Sequence, residues 1–143
     1  SNVTNMYGMF YGCESFSSLD LSSFNTSNVT DMRHMFNCCY NLTTIYVLDL
    51  WTTASVTSSS GMFDSCKKLV GSISYDSSKT DATYANYTTG YLTDKSIYML
   101  IKDITLYRLA DEIRILNDSK DDMTLVNMIE TLSNICDAKG VQF

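Results

Sequence analysis

The chain has 143 residues, 45% of them apolar, and a formal net charge of −6. Its ten Lys and Arg are scattered, which argues against a nucleic-acid partner, because phosphate binding needs clustered basic side chains. No run of about 20 apolar residues is present, so no membrane span is expected, and no basic-then-apolar start reads as a signal peptide.

The first element along the chain is a phrase that recurs. 1-SNVTNMYGMFYGCESF-16 returns as 27-SNVTDMRHMFNCCYNL-42 and, worn, as 54-ASVTSSSGMFDSCKKL-69. Val3, Val29 and Val56 share a column, 26 and then 27 residues apart, as do Met9, Met35 and Met62, Phe10, Phe36 and Phe63, and Cys13, Cys39 and Cys66. The chain begins inside the phrase, so residue 1 reads as a truncation or processing boundary. Val29, Met32, Met35 and Phe36 keep apolar spacings of three and four, which predicts a short helical segment that Thr4 and Thr30 can cap.

Between copies comes an apolar alternation, Leu19-Asp-Leu21 and then Ile45-Tyr-Val47, which reads as a strand in each unit. A fixed period in the twenties is the signature of stacked supersecondary units. One unit alone buries too little to offset its ordering entropy, roughly 1–2 kcal/mol per residue, whereas stacking turns each column into an interior ladder. The fold class expected is therefore α/β, a leucine-rich-repeat-like solenoid of about three 26–27-residue turns.

The middle copy holds the only histidine and two adjacent cysteines, which invites a metal or redox reading. The columns favour packing. Cysteine is a small, readily buried hydrophobe, whereas zinc needs four ligands, usually in paired C-x₂₋₄-C spacing. Cys13, Cys39 and Cys66, with the Met and Phe columns, are thus expected as structural rungs, packing being preferred to an oxidised pair. His34 falls in the Gly8 and Gly61 column, and Cys38 is expected to point elsewhere as the more accessible thiol. No metal, cofactor or catalytic residue is expected: no glycine-rich phosphate loop, no recurring carboxylate pair and no nucleophile beside an orienting base is apparent. Outward positions of the strand region give the binding candidates Asp20, Thr43, Tyr46, Asp49 and Trp51. Tyr46 and Trp51 lead them, since rigid aromatics make efficient contact anchors. Trp51 reads equally well as a cap on a core edge.

Composition shifts near Leu92–Asp94: residues 1–93 carry 11 charged side chains and the shorter 94–143 carry 15. This separates a repeat domain, 1–93, from a mostly helical module, 94–143. In the module, 97-IYMLI-101 is ambiguous and leans to strand. Leu106, Leu109, Ala110, Ile113 and Leu116 then form one helical face starting at Asp103 or Thr105. A polar turn at 117–123 and a second amphipathic stretch at 124–135 complete a C-terminal helical hairpin.

The phrase NVTxMxxMFxxCxxLxxLDLSSFNTSNVT resembles BspA-type leucine-rich-repeat surface proteins of bacteria, some of their phages and certain protozoan parasites. The likeness covers residues 1 to about 93, including 69-LVGSISYDSSKTDATYANYTTGYLT-93, which is similar to the terminal repeat of that family. It implies a non-catalytic adhesive module, extracellular or at a cell surface, whose partner is a host or cell-surface protein or glycan. Residues 103–135, TLxxLADEIRxxxxxxDxMTLxxMxxxI, are similar to a module of phage and prophage tail proteins, although the TGK-type glycine turn is missing here. That second resemblance implies an alternative: a structural component of a tail fibre, located in the virion, meeting other virion proteins through the C-terminal helices.

Overall fold

The structure, a computed structural model, describes residues 2–118 and 134. The chain divides into two compact units, Ser1–Ser96 and Ile97–Phe143.

In the first unit the repeated phrase is a string of tight turns. The Met9 N–H donates to the Met6 carbonyl at 3.3 Å, Tyr11 to Gly8 at 3.0 Å and Cys13 to Phe10 at 3.2 Å. The intervening N–H groups leave the segment. Those of Met6, Gly8, Phe10 and Gly12 donate to the carbonyls of Asp31, Arg33, Met35 and Asn37 in the second copy at 2.8–2.9 Å. The second copy does the same, sending Met32, His34, Phe36 and Cys38 to Ser58, Ser60, Met62 and Asp64 at 2.8–3.1 Å. An α-helix uses its N–H groups on its own i−4 carbonyls, so a segment that exports alternate ones is not helical. Left-handed residues reset the chain between turns: Gly8, His34 and Gly61 have φ of 55–64°, and Gly12, Cys38 and Ser65 have φ of 60–66°. The expected helix over VTxMxxMF is thereby corrected. Its spacings of three and four belong to overlapping four-residue turns, each closed by an N–H bonded to the carbonyl three residues back.

Three short strands follow from the apolar alternations: β1 (Ser18–Asp20), β2 (Thr44–Val47) and β3 (Thr93–Asp94). They form one parallel sheet in the order β1-β2-β3, with Leu19 opposite Ile45 and Tyr46 opposite both Asp20 and Thr93. The third copy adds no strand to it. Its alternation folds back instead, in an antiparallel bridge between Val70 and Ser74, and β3 comes from the closing segment. A solenoid of three equivalent α/β turns is therefore not the fold of the repeat region. The described residues hold a small, open three-stranded parallel sheet, turn-rich phrases and one long helix. The physical reason lies in the third copy, where a slipped alternation, 72-SISY-75, loses its register with β2.

The core of this unit is built from the phrase columns. Val29, Met32, Met35, Phe36, Cys39, Leu42, Ile45, Met62, Phe63, Cys66 and Leu69 are all buried. Phe10, Phe36 and Phe63 stack nearly parallel with centroids 5.6 and 5.4 Å apart, and Tyr91 closes the row edge-on at 5.1 Å. Tyr91 is fully buried, and its hydroxyl donates to the Lys79 carbonyl at 2.8 Å, so a polar end is satisfied inside an apolar row.

The other element is a single helix, α1 (Lys95–Asp118). Asp94 caps it, accepting from the Ser96 N–H at 2.8 Å and the Ser96 hydroxyl at 2.6 Å. The strand expected at 97–101 is corrected to helix, as are the start at Asp103 or Thr105 and the turn at 117–118. A capping Asp followed by a stretch free of Gly and Pro favours one continuous helix, and nothing local stops it at Asp103. The expected second helix at 124–135 lies outside the described residues except for Asn134, which is helical.

Candidate ligand-binding groove

The sequence candidates fall into two places. Asp20 and Tyr46 are opposite one another in β1 and β2. The Asp20 carboxylate is tied to the Lys95 ammonium at 2.6 Å and accepts from the Ser22 N–H at 3.1 Å. The Lys95 hydrogen bond first, then those from Ser22, hold its pKa at about 2. Asp20 is therefore an engaged anion. Thr43 lies just ahead of β2, exposed, with its hydroxyl donating to the Ser17 carbonyl at 2.7 Å. Asp49 is exposed in the turn after β2. Trp51 stands apart from them. Its ring is buried and its indole N–H donates to the Ala85 carbonyl at 3.0 Å, which makes it part of the core edge.

The cysteine column is filled by thiols. Cys13, Cys38, Cys39 and Cys66 are all free. The Cys39 thiol donates to the Phe10 carbonyl and the Cys66 thiol to the Phe36 carbonyl, each at 3.0 Å, so these thiols serve as rungs between copies. Burial pushes Cys39 up to about 11 and Cys66 up to about 12, which keeps both neutral and poorly nucleophilic. His34 sits against Tyr7, edge-on at 5.7 Å, with Asn37 Nδ2 at 2.9 Å from its Nδ1. Its ring fills the space beside Gly61, where a Cβ would approach His34 Nδ1 to 2.6 Å. No group of three or more His, Cys, Asp or Glu placed to hold a metal occurs among the described residues. No helix among them is long and apolar enough to cross a membrane.

The sequence does not announce two further concave surfaces of this unit. A cleft of about 270 Å³ is lined by Trp51, Thr52, Thr53, Ala85, Asn86, Tyr87 and Thr88. A second, of about 280 Å³, shares Thr53 and continues along Val56, Thr57, Ser59, Asp81, Ala82 and Thr83. One wall is the run after β2. The other is the closing segment, shaped by a 3-10 turn at Ala82–Tyr84 whose N-cap Asp81 accepts from the Thr83 N–H at 2.8 Å. The walls are pinned at Trp51–Ala85 and at Ser59, whose hydroxyl accepts from the Ala82 N–H at 3.1 Å. Asn86 shapes the rim: its side-chain oxygen accepts from the Thr88 and Thr89 N–H groups and its amide donates to the Thr83 carbonyl. The hydroxyls of Thr53, Thr83 and Tyr87 have no polar partner among the described residues. The only signal for this groove in the sequence was the Thr, Asn and Tyr crowding of 83-TYANYTTGY-91.

Residues 1–95 match the family model described as "Mycoplasma protein of unknown function, DUF285". No curated protein and no solved structure matches the chain. The family model spans most of the chain, all of it within the repeat phrases, the sheet and their closing segment, and the protein belongs to the DUF285 family.

Proposed function

We propose that this chain is a non-catalytic binding module at a cell surface, and that its groove takes a neutral, hydroxyl-rich ligand, a glycan of a host or cell surface. The observation that carries this reading is the set of unpartnered hydroxyls of Thr53, Thr83 and Tyr87 on two adjoining clefts held by a rigid core. Hydroxyls both donate and accept, an aromatic beside them offers a face for a sugar ring, and Asp81 is the one charged side chain in the lining. The likeness of residues 1–93 to BspA-type surface proteins supports the location. The test is a glycan array followed by titration of the best hit against Tyr87→Ala and Thr83→Val. A lost hydrogen bond in such a site is worth about 0.5–1.5 kcal/mol, so roughly 3- to 10-fold weaker binding is expected for each variant at unchanged melting temperature. Equal affinity of both variants and the parent rejects the groove as the site, and loss in Tyr46→Ala instead moves it to the face of β1 and β2.

A second reading, an assembly component of a phage or prophage tail, is favoured by the exposed apolar side chains of α1, among them Ile97, Leu100 and Ile104. Light scattering discriminates: a concentration-independent monomer counts against assembly, and a stable trimer supports it.

A further inference from the structure

The two clefts of the groove are chemically unlike each other, and they share one side chain. They measure about 270 and 280 Å³. Each alone falls just short of the roughly 300 Å³ at which small-molecule sites begin, and the pair falls inside their range. Thr53 lines both. The first cleft holds the exposed ring of Tyr87 beside Ala85 and Trp51, and its lining carries no charged side chain. The second has no aromatic ring, and its lining includes the Asp81 carboxylate. One oxygen of that carboxylate accepts from the Thr83 N–H at 2.8 Å, and the other makes no hydrogen bond among the described residues. The Trp51–Ala85 and Ser59–Ala82 hydrogen bonds, one at each cleft, hold the two walls together and so fix the separation of the clefts.

We infer that the groove binds two consecutive sugar rings laid across Thr53, a neutral ring against Tyr87 and, beside Asp81, a ring that carries no acidic group. This rests on the glycan reading of the groove and adds to it a length, a direction and a charge rule. The length follows from two small clefts at a fixed separation: a glycosidic link presents the second ring at high effective concentration once the first is bound. The direction follows from their difference. The apolar face of a sugar ring packs on an aromatic face, which only the Tyr87 cleft offers. The charge rule follows from Asp81. A carboxylate only accepts hydrogen bonds, so its uncommitted oxygen takes a sugar hydroxyl and repels a second carboxylate or a sulfate.

The probes are glucose, galactose, mannose and N-acetylglucosamine, with the disaccharides that each forms with itself, titrated into the intact chain at low salt. At least one disaccharide is expected to bind roughly 10-fold or more tightly than its own monosaccharide. Thr53→Val, which keeps the branched shape and removes the hydroxyl, should weaken that disaccharide by roughly 3- to 10-fold at unchanged melting temperature. The same disaccharide oxidised to a carboxylate on one ring, and then on the other, reads the direction. One of the two acids should bind roughly 3-fold more weakly than the neutral sugar. Asp81→Asn, whose amide oxygen still accepts from Thr83, should remove that difference. Equal affinity for every disaccharide and its monosaccharide overturns the inference. If Tyr87→Ala then weakens both, the glycan reading of the groove survives without it. Unchanged affinity in Thr53→Val, or a discrimination between the acids that Asp81→Asn leaves in place, overturns the inference as well. Should no sugar of the panel bind, the reading and the inference fall together.

Discussion

The first and second copies of the phrase place the same residue types in the same columns, yet Met9 and Phe16 of the first are exposed while Met35 and Leu42 of the second are buried. Met9 and Met35 have equivalent local environments in the sequence, with a Phe following each and a left-handed residue preceding each. Among the described residues, Met35 has copies on both sides and is buried, and Met9 has a copy on one side and is exposed. Local pattern therefore chooses which residues can face inward, and the number of neighbours chooses which do. Burial of a large apolar side chain is worth about 1.5–3 kcal/mol, so the two copies contribute unequally to stability despite their likeness.

The largest expected effect breaks this comparison directly. Phe36→Ala removes the middle ring of the aromatic row and should cost about 3–5 kcal/mol, whereas Phe10→Ala, half-buried at its outer end, should cost about 1–2 kcal/mol. Equal losses in urea melts of the two variants would remove the distinction between core copy and edge copy. Next in size is Gly61→Ala. It puts a Cβ 2.6 Å from the His34 ring at a φ of +64°, and about 2 kcal/mol of destabilisation is expected. His34→Gly in the same chain should recover the steric part and leave the backbone part. A double-mutant cycle then shows coupling of about 0.5–3 kcal/mol, and additive losses would mean that the ring and Gly61 do not share that space.

The cysteines sharpen the comparison further. Cys39 and Cys66 are buried, whereas Cys13 and Cys38 are only half-buried, so the latter pair should react first with iodoacetamide under native conditions. Folding raises the Cys39 and Cys66 pKa from 9.0 to about 11 and about 12, which favours the neutral thiol. Their contribution to stability is fully present below pH 9.0 and is lost as pH rises through 11 to 12. Cys66→Ser should change the alkaline limb of a pH melt, and an unchanged limb would mean that burial of this thiol adds nothing to it. The smallest effect belongs to Asp20. Its pKa is lowered from 3.8 to about 2, so the Lys95 pair stabilises the fold above pH 3.8 and fades as pH falls through 2. The carboxylate is half exposed, so no more than about 0.2–1 kcal/mol is expected. Lys95→Met should flatten that acid limb, and an unchanged limb would mean that the pair adds nothing.

Several features are legible in the sequence. The columns of Phe36, Phe63, Met35, Met62, Cys39 and Cys66 announce a shared interior, and each of these side chains is buried. The helical reading of the same phrase fails because spacings of three and four do not distinguish an α-helix from overlapping four-residue turns. Only the destination of the N–H groups does, and that destination lies a whole copy away. The glycine column was visible, but its meaning, a left-handed backbone that His34 also adopts, was not. The reading of 97–101 as a strand failed for a related reason: a five-residue apolar run carries no length, and length separates helix from strand.

The candidate site divides along the same line. Tyr46 and Asp20 could be assigned to adjacent strands from the repeat alone, because their columns coincide. The groove could not, because its walls at 51–59 and 81–88 are distant in sequence and share no pattern. By itself, then, the sequence determined which residues recur, which columns are apolar and where the composition changes, since these are properties of spacing. The tertiary structure alone decided which copy is covered, that the third strand is Thr93–Asp94, and where Trp51 and Tyr87 meet a cleft. Those outcomes depend on hydrogen bonds and packing between segments 26 or more residues apart, and a local pattern carries no information about which distant segment will supply the partner.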